Sequence, residues 1–273
     1  MRAYVTQNVL LTGDAGSGKS YIVEELIRVQ STRLGCVSVT ALTGEVASLY
    51  PGGTTLHHWA GLRPHDVCAN KSALKDIVQR ACSTGDVLAR VRSTSVLVID
   101  EASMMTGALI ELVHRVCCFA RGTSSNRPMG GITMVMVGDW KQLPPIPSAR
   151  LVADGTSMDV EEAGVVNFDI AGLTQDSLAS SMPLFAFETD VWKSLNLQTV
   201  RLTTQHRQQD ASASFARLLA HVGSNDVDEI DMQTASALAR ELPADLKVVH
   251  LVATRSEAAD INLQCVICPK LFY

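Results

Sequence analysis

Apolar residues fall along this chain in two rhythms. Val9-Leu10-Leu11 and Val96-Leu97-Val98-Ile99 are continuous apolar runs of strand length, and Ile132 through Val137 is another, interrupted at Thr133. Such runs predict strands buried on both faces, as in a parallel sheet. A weaker alternation over Cys36-Val37-Ser38-Val39-Thr40 predicts a second strand, and Thr199 to Leu202 and Val248 to Val252 predict two more. Between the strands the spacing shifts to three and four. Ile22, Val23, Leu26, Ile27 and Val29 share one face of a helix predicted over Tyr21–Arg33. Leu109, Leu112, Val113 and Val116 do so over Thr106–Ala120, and Phe215, Leu218, Leu219 and Val222 over Ser214–Val222. Shorter helical pieces are predicted over 45–50, 73–81 and 87–91, the first ended by Pro51-Gly52-Gly53. Strands alternating with helices predict an α/β fold with a parallel sheet flanked by helices.

Two stretches break the rhythm. Residues 147–183 are acidic, carry Gly and Ser, and have little periodicity, which predicts a long surface insertion. Asp226 to Asp231 predicts a solvated acidic segment. The predicted domains are 1–225, including that insertion, and 226–273, a linker with the start of a second domain.

Composition narrows the class. The 273 residues are 47% hydrophobic with a mean hydropathy of +0.15, which is a folded, globular balance. The net charge of −5 is uneven: residues 1–150 carry 15 basic and 11 acidic side chains, whereas 151–273 carry 8 and 17. A strongly basic nucleic-acid binder is therefore excluded, while a local phosphate-contacting groove in the first half is not. Seven cysteines without a dense framework suit reduced thiols in an intracellular compartment. Cys265-x-x-Cys268 stands alone and is a weak zinc signal. There is no apolar run of membrane-spanning length and no secretory signal, so no membrane association is expected.

The chemistry concentrates after the apolar runs. Gly13-Asp14-Ala15-Gly16-Ser17-Gly18-Lys19-Ser20 has the form GxxxxGK[ST], between a predicted strand and a predicted helix. Glycines let backbone N–H groups turn inward around phosphate, and the helix N-terminus adds a favourable field. Lys19 is expected to reach the β- and γ-phosphates of ATP, and Ser20 to place its hydroxyl on Mg²⁺. Asp100 and Glu101 end a buried strand; Asp100 is expected to hold Mg²⁺ through water and Glu101 to polarise the attacking water. Gln142, in the Leu143-Pro144-Pro145 turn, is expected beside the γ-phosphate. Arg207, after the 199–202 strand, suits a clamp on a transferring phosphoryl group, or a plain salt bridge. Thr54-Thr55-Leu56-His57-His58-Trp59 has two readings: a surface that holds a nucleic-acid backbone and stacks a base, or a capped turn with Trp59 in the core. Neighbouring His57 and His58 are poor zinc ligands, because their side chains point apart.

In this order the segments resemble the petite-integration-frequency (Pif) family of DNA helicases, superfamily one B, over about Asn8 to Asn262. Gly13–Ser20 resembles its first motif, Ile99–Met104 its Walker B signature, and Gly131–Asp139 with Gln142–Pro145 its third motif. Phe185–Trp192 and His206-Arg207-Gln208 resemble its fourth. Val39–Gly44 and Gly52–His57 resemble its single-strand-contacting segment. The resemblance implies a P-loop NTPase with a RecA-like first core domain and an incomplete second one. It implies ATP and Mg²⁺ as ligands and five-prime to three-prime translocation on single-stranded DNA. Thr40, Thr43, Gly44, Thr54, Thr55, His57 and Trp59 are the expected DNA face. Roles in DNA repair, recombination and telomere maintenance follow from the family, as do DNA junctions or forks as partners, a monomeric state, and a nuclear or mitochondrial location. The alternative is a truncated fragment that binds ATP and DNA, hydrolyses slowly and does not unwind until the rest of a second core domain is supplied.

Overall fold

A computed structural model describes residues 7–30, 36–64, 66, 71–124, 126–145, 183–206, 213–238, 252 and 256–261. The 147–183 insertion (Pro183 apart), Arg207, most of the predicted 248–252 strand, Asn262 and the two C-terminal cysteines lie outside the described residues. The chain divides into two units, one of residues 1–157 and 171–211 and one of 158–170 and 212–273.

The first unit holds the sheet. Among the described residues its strands are β1 (Val9–Gly13), β2 (Cys36–Ala41), β3 (Thr54–Thr55), β4 (Thr94–Asp100), β5 (Thr133–Gly138) and β6 (Gln198–Leu202). They pair in the order β3-β2-β4-β5-β1-β6, every pair parallel, with Val98 beside Val135 and Leu10 beside Met136. Successive side chains of a strand point to opposite faces. Val96 and Val98 of β4, with Val135 and Val137 of β5, therefore face one layer that includes Leu11, Val23 and Tyr50. Leu97, Ile99, Met134 and Met136 face the other, where they meet Leu56, Trp59, Leu74, Val91, Leu112 and Val116. Both layers are dry, which is why these strands read as unbroken apolar runs. Complete burial of one such side chain contributes about 1.5–3 kcal/mol.

The helices of this unit are α1 (Lys19–Gln30), α2 (Gly44–Ala47), α3 (Leu56–Ala60), α4 (Lys71–Ala81), α5 (Gly85–Ser93), α6 (Gly107–Arg121) and α7 (Asp190–Ser194). The α6 helix shows how the sequence sets its own limits. The Thr106 hydroxyl accepts from Leu109 N–H at 3.2 Å, and Gly122, at φ 61°, turns its N–H back to the Cys118 and Phe119 carbonyls. Asn8 fastens the strand bottoms: its Nδ2 donates to Leu195 O at 2.7 Å and its Oδ1 accepts from Met134 N–H at 2.8 Å. After the insertion, Leu184 O accepts from Gly107 N–H and Ala186 N–H donates to Met105 O, so the chain returns to the start of α6.

The second unit contains α8 (Ala213–Ser224) and α9 (Glu229–Leu238), packed on each other. The expectation of a solvated 226–231 segment is corrected at one residue: Asp231 is 1% exposed. It accepts from His221 Nδ1 at 2.6 Å, and it exchanges backbone-to-carboxylate hydrogen bonds with Asp228 across the start of α9. Arg217 pairs with both carboxylates.

Candidate functional site

Parallel strands deliver their carboxyl ends to one edge of the sheet, the usual location of α/β sites. β1 ends there in Gly13, and the loop that follows turns into α1 at Lys19. Gly16 and Gly18 hold φ values of 82° and 90°, which side chains with a Cβ rarely adopt. At Gly13 a Cβ would stand 2.6 Å from Ser17 Oγ and 2.8 Å from Leu202 O. The Lys19 ammonium folds back on the loop, donating to Gly13 O at 2.7 Å and Asp14 O at 3.1 Å. Ser17 Oγ is buried and has no hydrogen-bond partner among the described residues. His206 N–H donates to Gly16 O at 2.9 Å, so the segment after β6 crosses the loop.

β4 brings the two carboxylates. Asp100 is buried; its Oδ1 accepts from Glu101 N–H at 2.8 Å and its Oδ2 from the Tyr50 phenol at 2.6 Å. Glu101 sits in the left-handed region at φ 57°, unusual for a residue with a Cβ, which bends the chain sharply out of the strand. Partial burial pushes its carboxyl pKa up, the charges of Asp100 and Asp139 add to this, and the Lys19 charge opposes it. Lys19, Asp100, Glu101 and Asp139 therefore share one electrostatic neighbourhood.

β5 brings the third wall. Asp139, buried just past the strand, accepts from Lys141 N–H at 3.0 Å and from Gln142 Nε2 at 2.9 Å. Gln142 is thereby held at the cleft edge, while Lys141 Nζ reaches Asp14 Oδ2 at 3.1 Å and ties this turn to the phosphate loop. The exposed Ser20 hydroxyl and Asp100 are hard oxygen donors of the kind a Mg²⁺ ion takes. The glycine-lined loop, the orphaned Ser17 hydroxyl and the inward lysine suit a nucleotide phosphate chain. The residues present fit both groups.

The fold thus brings Gly13 to Ser20, Asp100, Glu101 and Gln142 to one edge. Three neighbours were missed. Asp139 carried a readable signal, since it ends a buried strand as Asp100 does. Lys141 and Tyr50 carried none: each makes its contact far along the chain, and Tyr50 reads as an ordinary core aromatic.

The expected DNA face fares differently. Thr40 is fully buried and its hydroxyl donates to Val98 O at 2.7 Å, so it is a sheet residue. Trp59 is 1% exposed, inside the α3–α6 layer, and has no ring face available to stack a base. These two expectations are corrected; the capped turn with Trp59 in the core is the arrangement observed. Thr43 and Thr55 cap α2 and α3, accepting from Val46 N–H at 3.3 Å and His58 N–H at 3.2 Å. Both remain half-exposed, as do Thr54 and His57, and Gly44 is exposed. Burial lowers the His57 pKa against the pull of Asp66, which favours the neutral ring. Arg90 donates to the carbonyls of Trp59 and His58 and closes the far end of α3.

Comparison with known proteins follows the same segments. The sequence model of the family described as PIF1-like helicase matches residues 3–159. The ATP-dependent DNA helicase RRM3 of Saccharomyces cerevisiae is 35% identical over 205 residues, covering 74% of this chain and 23% of that protein. The crystal structure of Pif1 helicase from Candida albicans superposes with a TM-score of 0.73 at 26% identity, covering 96% of this chain and 51% of that one. Bacteroides Pif1 bound to ssDNA, at 24% identity and a TM-score of 0.69, shares the fold. The chain spans about a quarter of the length of the first relative and half that of the solved structures.

Proposed function

Because the chain belongs to the PIF1-like helicase family, we propose that it is the ATP-binding core of an ATP-dependent DNA helicase. The observation that carries this is the meeting of Lys19, Asp100, Glu101 and Asp139 with a glycine-lined phosphate loop at one sheet edge. Lys19 exchanges its two carbonyl partners for phosphate oxygens, and the loop N–H groups cradle the same chain. Ser20 and Asp100 hold a Mg²⁺ ion, which when bound neutralises phosphate charge. Glu101, whose raised pKa makes it a better base than an ordinary carboxylate, takes the proton of the attacking water. Gln142, released from Asp139, reports whether a γ-phosphate is present. Arg207 supplies a further positive charge to the transferring group.

Bacteroides Pif1 is bound to ssDNA in its solved structure, and single-stranded DNA is the partner proposed here. Thr43, Gly44, Thr54, Thr55 and His57 are the contact positions left after burial removes Thr40 and Trp59. Phosphate contacts dominate such a face, so sequence preference is weak and salt dependence strong. Five-prime to three-prime movement as a monomer, action at forks and junctions, and service in repair, recombination and telomere maintenance in the nucleus or mitochondrion complete the reading. One alternative is that these residues bind ATP and DNA without unwinding duplex by themselves.

The test is calorimetric titration with Mg²⁺-ATP. Lys19→Ala is expected to weaken binding by about 10–100-fold, the loss of charge-assisted hydrogen bonds worth about 1.5–3 kcal/mol. Equal affinity in the variant contradicts the proposed site.

A further inference from the structure

We propose that Tyr50 is a positioning residue for the divalent cation, holding Asp100 in the orientation that the ion requires. The inference rests on the nucleotide-site reading above. Tyr50 follows α2, and its backbone is pinned by a turn in which its N–H donates to Ala47 O and its carbonyl accepts from Gly53 N–H. The ring is 3% exposed and packs with Leu11, Val23, Val39 and Val137. Only the phenol oxygen, at the end of this anchored ring, reaches the polar cleft.

There it meets one of the two expected cation ligands. The phenol donates to Asp100 Oδ2 at 2.6 Å, a bond to an ionised acceptor and so of the stronger kind.

This hold matters to a cation. Asp100 is fixed in rotation from both sides, by Tyr50 on Oδ2 and by Glu101 N–H on Oδ1, and each oxygen retains capacity to accept from an ion-bound water. Outer partners of this kind orient ligands that would otherwise turn. Without the phenol, buried Asp100 loses one of its two holds.

The experiment uses the 273-residue chain, a fluorescent ATP analogue and Mg²⁺ alone as the varied component. Wild type and Tyr50→Phe are titrated with Mg²⁺ at fixed analogue, and analogue affinity is measured separately in EDTA. The expected result is a rise of about 10-fold in the half-saturating Mg²⁺ concentration for Tyr50→Phe, with EDTA affinity unchanged. Unchanged EDTA affinity also shows that the variant is folded. Asp100→Asn is expected to raise the same midpoint, and adding Tyr50→Phe to it to raise it less than in wild type, since the phenol acts through Asp100. An unchanged Mg²⁺ midpoint in Tyr50→Phe overturns the inference. So does an equal loss of affinity with and without Mg²⁺, which is the mark of a residue that merely supports the fold. Failure of the wild type to bind the analogue at all overturns instead the nucleotide-site reading, and the inference with it.

Discussion

The carboxyl edge of the sheet carries two regions built from the same kinds of residue. At β1, β4 and β5 the glycines, hydroxyls and carboxylates keep capacity for a ligand. Among the described residues Ser17 Oγ has no hydrogen-bond partner and Lys19 is held by loop carbonyls alone, and Ser20 is exposed. At β2 and β3 the corresponding hydroxyls are already engaged, and the indole N–H of Trp59 is buried without a partner among the described residues. Thr40 bonds within the sheet, Thr43 and Thr55 cap helices, and Trp59 is sealed in a layer of apolar side chains. A polar residue in a suggestive motif becomes a candidate ligand only when the fold leaves a donor or acceptor unspent.

The largest expected effect sharpens the first region. Glu101→Gln keeps shape and hydrogen bonding but removes the base. It is expected to lower ATP turnover in the presence of single-stranded DNA by about 10²–10⁴-fold, with calorimetric ATP affinity retained. Phosphate release at the wild-type rate would remove Glu101 from the chemistry and leave the cleft a binding site only.

Two substitutions probe the second region. Trp59→Ala is expected to destabilise the first unit by about 3–5 kcal/mol in denaturant titration, the cost of emptying a large core site. Trp59→Phe, which keeps an aromatic ring, is expected to leave single-stranded DNA affinity within about twofold. A loss on the scale of about 1–3 kcal/mol, as for a stacked base, would show that the tryptophan leaves its layer to meet DNA. Thr55→Ala is smaller in effect: the lost cap costs about 1 kcal/mol of stability. Its influence on DNA affinity at low salt then separates a cap from a contact. A weakening no greater than that of Thr106→Ala, a helix cap outside the expected DNA face, marks Thr55 as structural.

The two regions were not equally legible in the sequence. The strands of β4 and β5 announced themselves because both faces are dry, and the 106–120 helix differs from α6 by one residue at each end because Thr106 and Gly122 are strong caps. The phosphate loop was legible because its chemistry is local: eight consecutive residues supply the turn, the glycines and the lysine. Tyr50 was not, since its partner lies 50 positions away and depends on the pairing of β2 with β4. Thr40 and Trp59 misled for the opposite reason. Hydroxyl and indole are as useful inside a sheet or a core as on a nucleic acid, and only burial decides between them. Asp231 likewise sits in an acidic run that composition places in water, yet His221, Arg217 and the α9 cap make burial of its carboxylate tolerable.

The smallest expected effect concerns what the unspent groups cost the fold. Burial and the neighbouring charges of Asp100 and Asp139 raise the Glu101 pKa in the folded chain. The folded form therefore binds this proton more tightly than the unfolded one. Below the ordinary carboxylate range both forms are protonated, and folding loses nothing. As pH rises through the raised folded value, the unfolded chain has already ionised and the folded chain must place a charge among like charges, so stability falls. Glu101→Gln removes that penalty. The variant is expected to melt higher than wild type at neutral pH, with the difference disappearing in acid. Glu101 is only partly buried, so solvent screens the repulsion, which keeps the expected gain to about 1–2 °C. Melting curves by circular dichroism across the acid-to-neutral range check the sign. A variant less stable than wild type at neutral pH would mean that the Glu101 carboxylate is held by a favourable partner, and that the cleft stores no electrostatic strain for a ligand to relieve.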